Sequence, residues 1–210
     1  MRLFVVGATG RTGRLVVARA LDRGHQVTAF TRRPEAVTRT DPRLQVARGD
    51  GTIAADLSQV AGHDAVISIV AAPNLKRTTL ARQVTGNLVR AMHDHGVGRL
   101  VVTSSHALVA TRPKLAVALV RVVLRNSYAD ARNMEAVLRD SGLDWRIVRA
   151  NRLVDRPAVG KVVRMPDGRD FAGGANELTR ADLAATLLDI VADDSLTRQA
   201  IEVTGARRRA

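Results

Sequence analysis

Three features of this 210-residue chain predict an α/β fold, a doubly wound parallel sheet with helices on both faces. Short apolar runs alternate with helical patterns along most of its length. One central run, 65–70, is apolar almost throughout, as a strand covered on both faces must be. The first apolar run leads directly into a glycine-rich turn and then a helical stretch. A rhythm of strand, helix and strand is the mark of parallel pairing through helical crossovers.

The elements follow in order. Residues 3–6 predict a first strand. Residues 11–23 carry Leu15, Val16, Ala18, Ala20 and Leu21 on a helical stripe, closed by Gly24. Strands are expected at 26–30, 44–47 and 65–70. Residues 79–95 place Leu80, Val84, Leu88 and Met92 four apart, with Gly96 after them. A fifth strand is expected at 99–103, helices at 115–125 and 128–140, and a sixth strand at 145–148. Beyond residue 150 the rhythm changes. A strand at 159–165 meets a turn at Pro166-Asp167-Gly168, and a helix at 181–191 starts from Thr179, a capping residue type. Residues 200–203 form a last strand. The expectation is a single domain, 1–210, in which about 151–210 form a small C-terminal portion on the substrate side.

Composition narrows the classes. With 46% apolar and 25% charged residues the chain is an ordinary globular one. Having no cysteine, it has no disulfide, thiolate metal site or cysteine nucleophile. His93 and His95, two apart on a helix, point to different faces, so no metal is expected. The first residues read as a strand rather than a signal-peptide core, which predicts a cytoplasmic protein. The formal net charge is +13, with +7 in residues 1–48. A basic surface attracts nucleic acid, but the five aromatic residues are scattered and offer no stacking platform. No specific nucleic-acid partner is expected.

The turn Gly7-Ala8-Thr9-Gly10-Arg11-Thr12-Gly13 carries the chemistry. Gly7 permits a tight exit from the strand, Gly10 lets backbone approach a pyrophosphate, and Gly13 lets helix pack on strand. The first N–H groups of the helix then face the phosphates, a Rossmann-type arrangement. The end of the second strand selects the cofactor. A carboxylate there binds an adenine ribose hydroxyl, whereas an arginine accommodates a 2′-phosphate. The sequence has Arg32-Arg33 and no acid, so NADP(H) is expected. Thr9, Arg11 and Thr12 belong to the same loop. Asp50, in Gly49-Asp50-Gly51, lies near the adenine or forms a simple turn.

These stretches resemble the atypical short-chain dehydrogenase/reductases, specifically the NAD(P)H-binding group that is NmrA-like or flavin reductase/biliverdin-IXβ reductase-like. The resemblance rests on the glycine loop and on Val27-Thr28-Ala29-Phe30-Thr31-Arg32. It continues through Gly62-His63-Asp64-Ala65-Val66-Ile67, Asn87, His95-Gly96-Val97, Thr103-Ser104-Ser105 and the segment 138–145. It implies an NADPH-dependent reductase that passes hydride to a small conjugated acceptor: a flavin, a quinone or a tetrapyrrole-like molecule. Arg32 matches the 2′-phosphate ligand and Ser105 a serine facing nicotinamide and substrate, with Thr103 and Ser104 as cofactor neighbours.

Two positions depart from the pattern. Where flavin-reductase-like proteins carry a histidine after strand six, Arg152 stands nearby. It either binds an acidic substrate or stabilises negative charge as hydride arrives. Where the wider superfamily pairs tyrosine with lysine four residues on, this chain has Tyr128 followed by Arg132. Ser105, Tyr128 and Arg152 are therefore the candidate catalytic residues, with positioning as the main effect. The alternative function is a non-catalytic NADP(H)-sensing NmrA-like regulatory protein. Either a monomer or a homodimer fits. The apolar and basic helix at 115–125 reads as a pocket wall, a dimer contact or a membrane-surface helix.

Overall fold

The computed structural model describes residues 1–70, 78–109, 125–166 and 177–206. The strands are β1 (Arg2–Val6), β2 (Gln26–Thr31), β3 (Leu44–Arg48), β4 (Ala65–Ser68), β5 (Arg99–Ser105), β6 (Asp144–Ala150), β7 (Arg152–Val154), β8 (Val162–Pro166), β9 (Glu177–Thr179) and β10 (Gln199–Gly205). The helices are α1 (Arg11–Asp22), α2 (Leu80–Asp94), α3 (Arg125–Arg139) and α4 (Arg180–Ala192).

Eight strands make one sheet in the order β3-β2-β1-β4-β5-β6-β10-β8. All neighbours are parallel except β8, which runs antiparallel to β10. From β1 the chain winds outward through β2 and β3, then returns to the other side of β1 for β4. The order thus reverses between β1 and β4, and in such sheets ligands bind at that reversal, outside the carboxyl ends of the strands.

Alternation along the strands splits the core into two layers. Leu3, Val5, Ile67, Val101 and Val148 face α1 and α4, where Val16, Ala20, Leu21, Leu187 and Leu188 cover them. Phe4, Val6, Val66, Leu100, Val102 and Ile147 face α2 and α3, under Val84, Leu88, Met92, Met134 and Leu138. Burying one such side chain contributes roughly 1.5–3 kcal/mol.

The expected elements recur with adjusted ends. β4 stops at Ser68 rather than residue 70, because the chain then crosses the glycine loop. β5 and β6 run longer, paired over seven residues. The three-residue strands β7 and β9, too short to show a period, form a separate parallel pair. Residues past 150 are therefore divided: β8 and β10 extend the main sheet, and β7 with β9 stands beside it. The expected helix at 115–125 and the turn at 166–168 lie almost wholly outside the described residues. Among the described residues no helix is long and apolar enough to cross a membrane. Among them, too, no group of three or more acidic or histidine side chains is placed to hold a metal.

Candidate functional site

The glycine loop is held by steric necessity. Gly7 has φ of +81°, and a Cβ there would lie 2.4 Å from the Ile69 carbonyl oxygen. A Cβ on Gly13 would lie 2.1 Å from the Gly7 carbonyl oxygen, so α1 sits directly against the turn. Gly10 caps α1 without a side-chain hydrogen bond, and the first turn has no acidic residue. The first N–H groups of a helix have no partner within it. Here nothing negative in that turn competes for them, which leaves the positive end of α1 suited to an anion.

Two cavities meet at this turn. The first, about 200 Å³, is lined by Gly7, Thr9, Gly10, Arg32, Arg33 and Asp50, among others. The Thr9 and Thr31 hydroxyls are 3.1 Å apart, and the Arg33 amide donates to Thr31 Oγ1 at 3.0 Å. Together these fix the end of β2 over the glycine loop. Asp50 Oδ1 accepts from both the amide and the hydroxyl of Thr52 at 2.9 Å. The Thr52 amide, then its hydroxyl and the Arg32 charge, outweigh burial and hold the Asp50 carboxyl below its ordinary range. Arg32 lies 3.8 Å from Asp50, with 72% of its side chain exposed. A pair so long and wet is worth at most about 1 kcal/mol, so it does not lock Arg32 away from a phosphate.

The second cavity, about 580 Å³, shares Gly10, Ile69 and Val70 with the first. Its walls include Arg11 and Thr12 from α1, Thr103, Ser104 and Ser105 from β5, and Tyr128 from α3. All the candidate cofactor-binding residues thus border one of the two spaces, except Gly13, which is buried beneath the loop. Ser105 and Tyr128 come together in the second cavity. Arg152 does not join them. It belongs to neither wall, its side chain is 73% exposed, and its guanidinium bonds Glu177 at 2.7 Å. The cause is the register of the small sheet, which sets Arg152 opposite Glu177. Arg132 is exposed and also off the wall. In its place Arg180 lines the cavity, and Asp155 bridges it to Arg11 at 2.9 and 3.0 Å.

Beneath Ser104 lies a buried charged network that sequence reading overlooked. Ser104 Oγ donates to Glu135 Oε1 at 2.6 Å. Arg149 binds the same carboxylate through Nε at 2.9 Å and a terminal nitrogen at 2.5 Å. Its other terminal nitrogen donates to Glu202 at 2.9 Å, and the His106 ring lies 2.6 Å from the second oxygen of Glu202. Glu135, Arg149, Glu202 and His106 are 6%, 3%, 0% and 7% exposed. Ser104, Arg149 and Glu202 sit side by side across β5, β6 and β10. The signal in the sequence was partial: Arg149 and Glu202 are charges within largely apolar strands, whereas Glu135 lies on a helix and carries no such mark.

A family model described as NAD(P)H-binding matches residues 7–194 of the chain. An uncharacterized chloroplastic protein of Arabidopsis thaliana is 32% identical over 200 residues, covering 89% of this chain and 71% of that protein. The chain spans only 21% of the length of an uncharacterized Mycobacterium tuberculosis relative, 28% identical over 205 residues. Among solved structures, a short-chain dehydrogenase/reductase from Veillonella parvula in complex with NADP superposes with a TM-score of 0.79 at 21% identity, covering 97% of this chain and 94% of that one. An anaerobillin reductase from Escherichia coli gives 0.78 at 20% identity, with 100% of both chains covered. At these identities the two structures establish the shared fold.

Proposed function

The chain belongs to the NAD(P)H-binding family, and on that premise we propose that it is an NADPH-dependent oxidoreductase passing hydride to a small conjugated acceptor, a flavin, a quinone or a tetrapyrrole-like molecule. The observation that carries this reading is the adjacency of the two cavities, which share Gly10, Ile69 and Val70 in their linings. One space has the arginine pair and the glycine loop that suit the phosphorylated adenosine end of a dinucleotide, and the other is a larger, mainly apolar chamber at the ends of β4 and β5.

The residues present fit such a cofactor. The open N-terminus of α1 and the close-packed glycine loop suit a pyrophosphate, and Arg32 with Arg33 suits a 2′-phosphate. When bound, the dinucleotide supplies the hydride. The protein contributes orientation and exclusion of water. Ser105 and Tyr128 line the chamber, and Met134, Leu153 and Leu183 supply apolar walls. Holding donor and acceptor in reacting geometry removes much of the entropic barrier. Arg152, paired with Glu177, takes no part in it. The Veillonella structure with NADP and the Escherichia coli reductase support the reading by analogy of fold.

The test is NADPH oxidation by the purified chain, followed at 340 nm with flavins, quinones and linear tetrapyrroles, against NADH as control. Turnover with NADPH preferred is the expected result. Tight NADPH binding with no acceptor turned over would replace this reading with that of a sensor.

A further inference from the structure

We infer that Ser104 is a hydrogen-bond acceptor that reads an N–H group on the molecule bound beside it, and that Glu135 is the positioning residue that sets this polarity. The inference rests on the reading of the second cavity as the place where nicotinamide and acceptor meet. A serine hydroxyl has one hydrogen and two lone pairs, and either can face a ligand. In this site the choice is made. The 2.6 Å contact joins Ser104 to a carboxylate that already takes two bonds from Arg149. A carboxylate held by a guanidinium is an acceptor only, and the arginine does not give up its proton. The hydrogen between Ser104 and Glu135 is therefore the serine's own. What remains for the cavity is lone pairs, which attract a donor and repel a carbonyl or enolate oxygen.

Ser105 has the opposite character. It follows Ser104 on β5, so its side chain leaves the other face of the strand, yet it also lines the cavity. Its hydroxyl makes no hydrogen bond among the described residues, and its hydrogen is open to an oxygen. Because the two hydroxyls leave opposite faces of the strand they meet different groups, and the one that Ser104 can take carries an N–H. Two molecules in this chamber carry such a group. One is the carboxamide of the nicotinamide. The other is an acceptor with an imide or lactam, as in a flavin or the end ring of a linear tetrapyrrole. A quinone has oxygens only and would engage Ser105 alone.

Dissociation constants of the full chain separate these sources and do not depend on turnover. In the cofactor arm, NADPH is compared with its reduced 3-acetylpyridine analogue, whose methyl ketone lacks the N–H. In the acceptor arm, riboflavin is compared with 3-methylriboflavin in the presence of NADP. In one arm the ligand without N–H is expected to bind wild type roughly tenfold more weakly, the scale of one hydrogen bond left unmade. In Ser104→Ala that ratio should fall to near one, and in Glu135→Gln, where the fixed acceptor charge is lost, it should shrink. If a variant does not fold, the wild-type ratios decide. Equal affinities in both arms, or a ratio that survives in Ser104→Ala, overturn the inference. Absence of NADPH oxidation overturns only the reductase reading, because these affinities remain measurable.

Discussion

Arg32 and Gly13 show how much one position can decide. Arg32 borders the first cavity with most of its side chain in solvent and only a long contact to Asp50. In Arg32→Asp a phosphate-matching fork is replaced by a like charge. NADPH affinity should fall on the order of a hundredfold, with NADH affinity held or improved, as measured by quenching or enhancement of cofactor fluorescence. Equal losses for both would dismiss the 2′-phosphate assignment. Gly13 acts through packing. The atoms a Cβ would meet are backbone of Gly7 and Ala8, which cannot swing aside like a flexible side chain. Gly13→Ala should cost about 1–3 kcal/mol in urea unfolding and also weaken dinucleotide binding. An unchanged midpoint would mean that α1 shifts freely on the loop. Both positions were legible in the sequence, because the glycine turn and the end of β2 lie within one strand–helix–strand unit.

At the scale of elements, helix starts contrast sharply. Thr179 caps α4 as its position predicts: its hydroxyl oxygen accepts the Asp182 amide at 2.9 Å. Asp182 in turn accepts the amides of Val159 and Gly160, so the cap also pins the loop ahead of β8. α2 has no side-chain cap of its own at Thr79. Its first amide, from Leu80, donates to the Thr78 hydroxyl at 3.1 Å, and the next two, from Ala81 and Arg82, donate to Asp130 of α3 at 2.9 and 3.0 Å. Asp130 is buried and lines the second cavity, so one carboxylate fixes a helix start and a wall of the site. Asp130→Ala is expected to lose on the order of 1–2 kcal/mol of stability, read by thermal or urea denaturation. Asp130→Asn, which keeps one acceptor, should recover part of that loss, and no difference between the two would exclude capping as the cause. Thr78 serves the first amide from nearby, but no local motif announces the Asp130 part of this cap, since that acceptor is 49 residues away.

Across the whole molecule, the Glu135–Arg149–Glu202–His106 network ties α3, β6, β10 and the end of β5 into one buried unit. Removing Arg149 would leave two carboxylates without their shared cation. Arg149→Met should therefore destabilise the fold by about 3–5 kcal/mol. Replacing Glu135 and Glu202 with leucine as well should restore much of that, because an apolar core has no charge to leave unpaired. A single mutant as stable as wild type would show that water reaches the network. The charge of the chain has a similar division. The +7 of residues 1–48 surrounds the glycine loop and Arg32-Arg33. Elsewhere many arginines are balanced locally, as Arg152 and Arg156 are by Glu177.

The sequence by itself determined the parallel sheet, the glycine loop and the placing of Arg32 near it. Each of these depends on periodicity or on residues close along the chain, and local sterics fix them before any distant contact forms. The tertiary structure alone decided three other matters: the polarity of Ser104, the burial of the charged network, and the turning of Arg152 away from the cavity. Their partners are 31 residues apart for Ser104 and Glu135, 96 for His106 and Glu202, and 25 for Arg152 and Glu177. A charged or hydroxyl side chain has several satisfactory partners in principle. Which one it meets depends on how strands register and helices pack, and no local pattern encodes that choice.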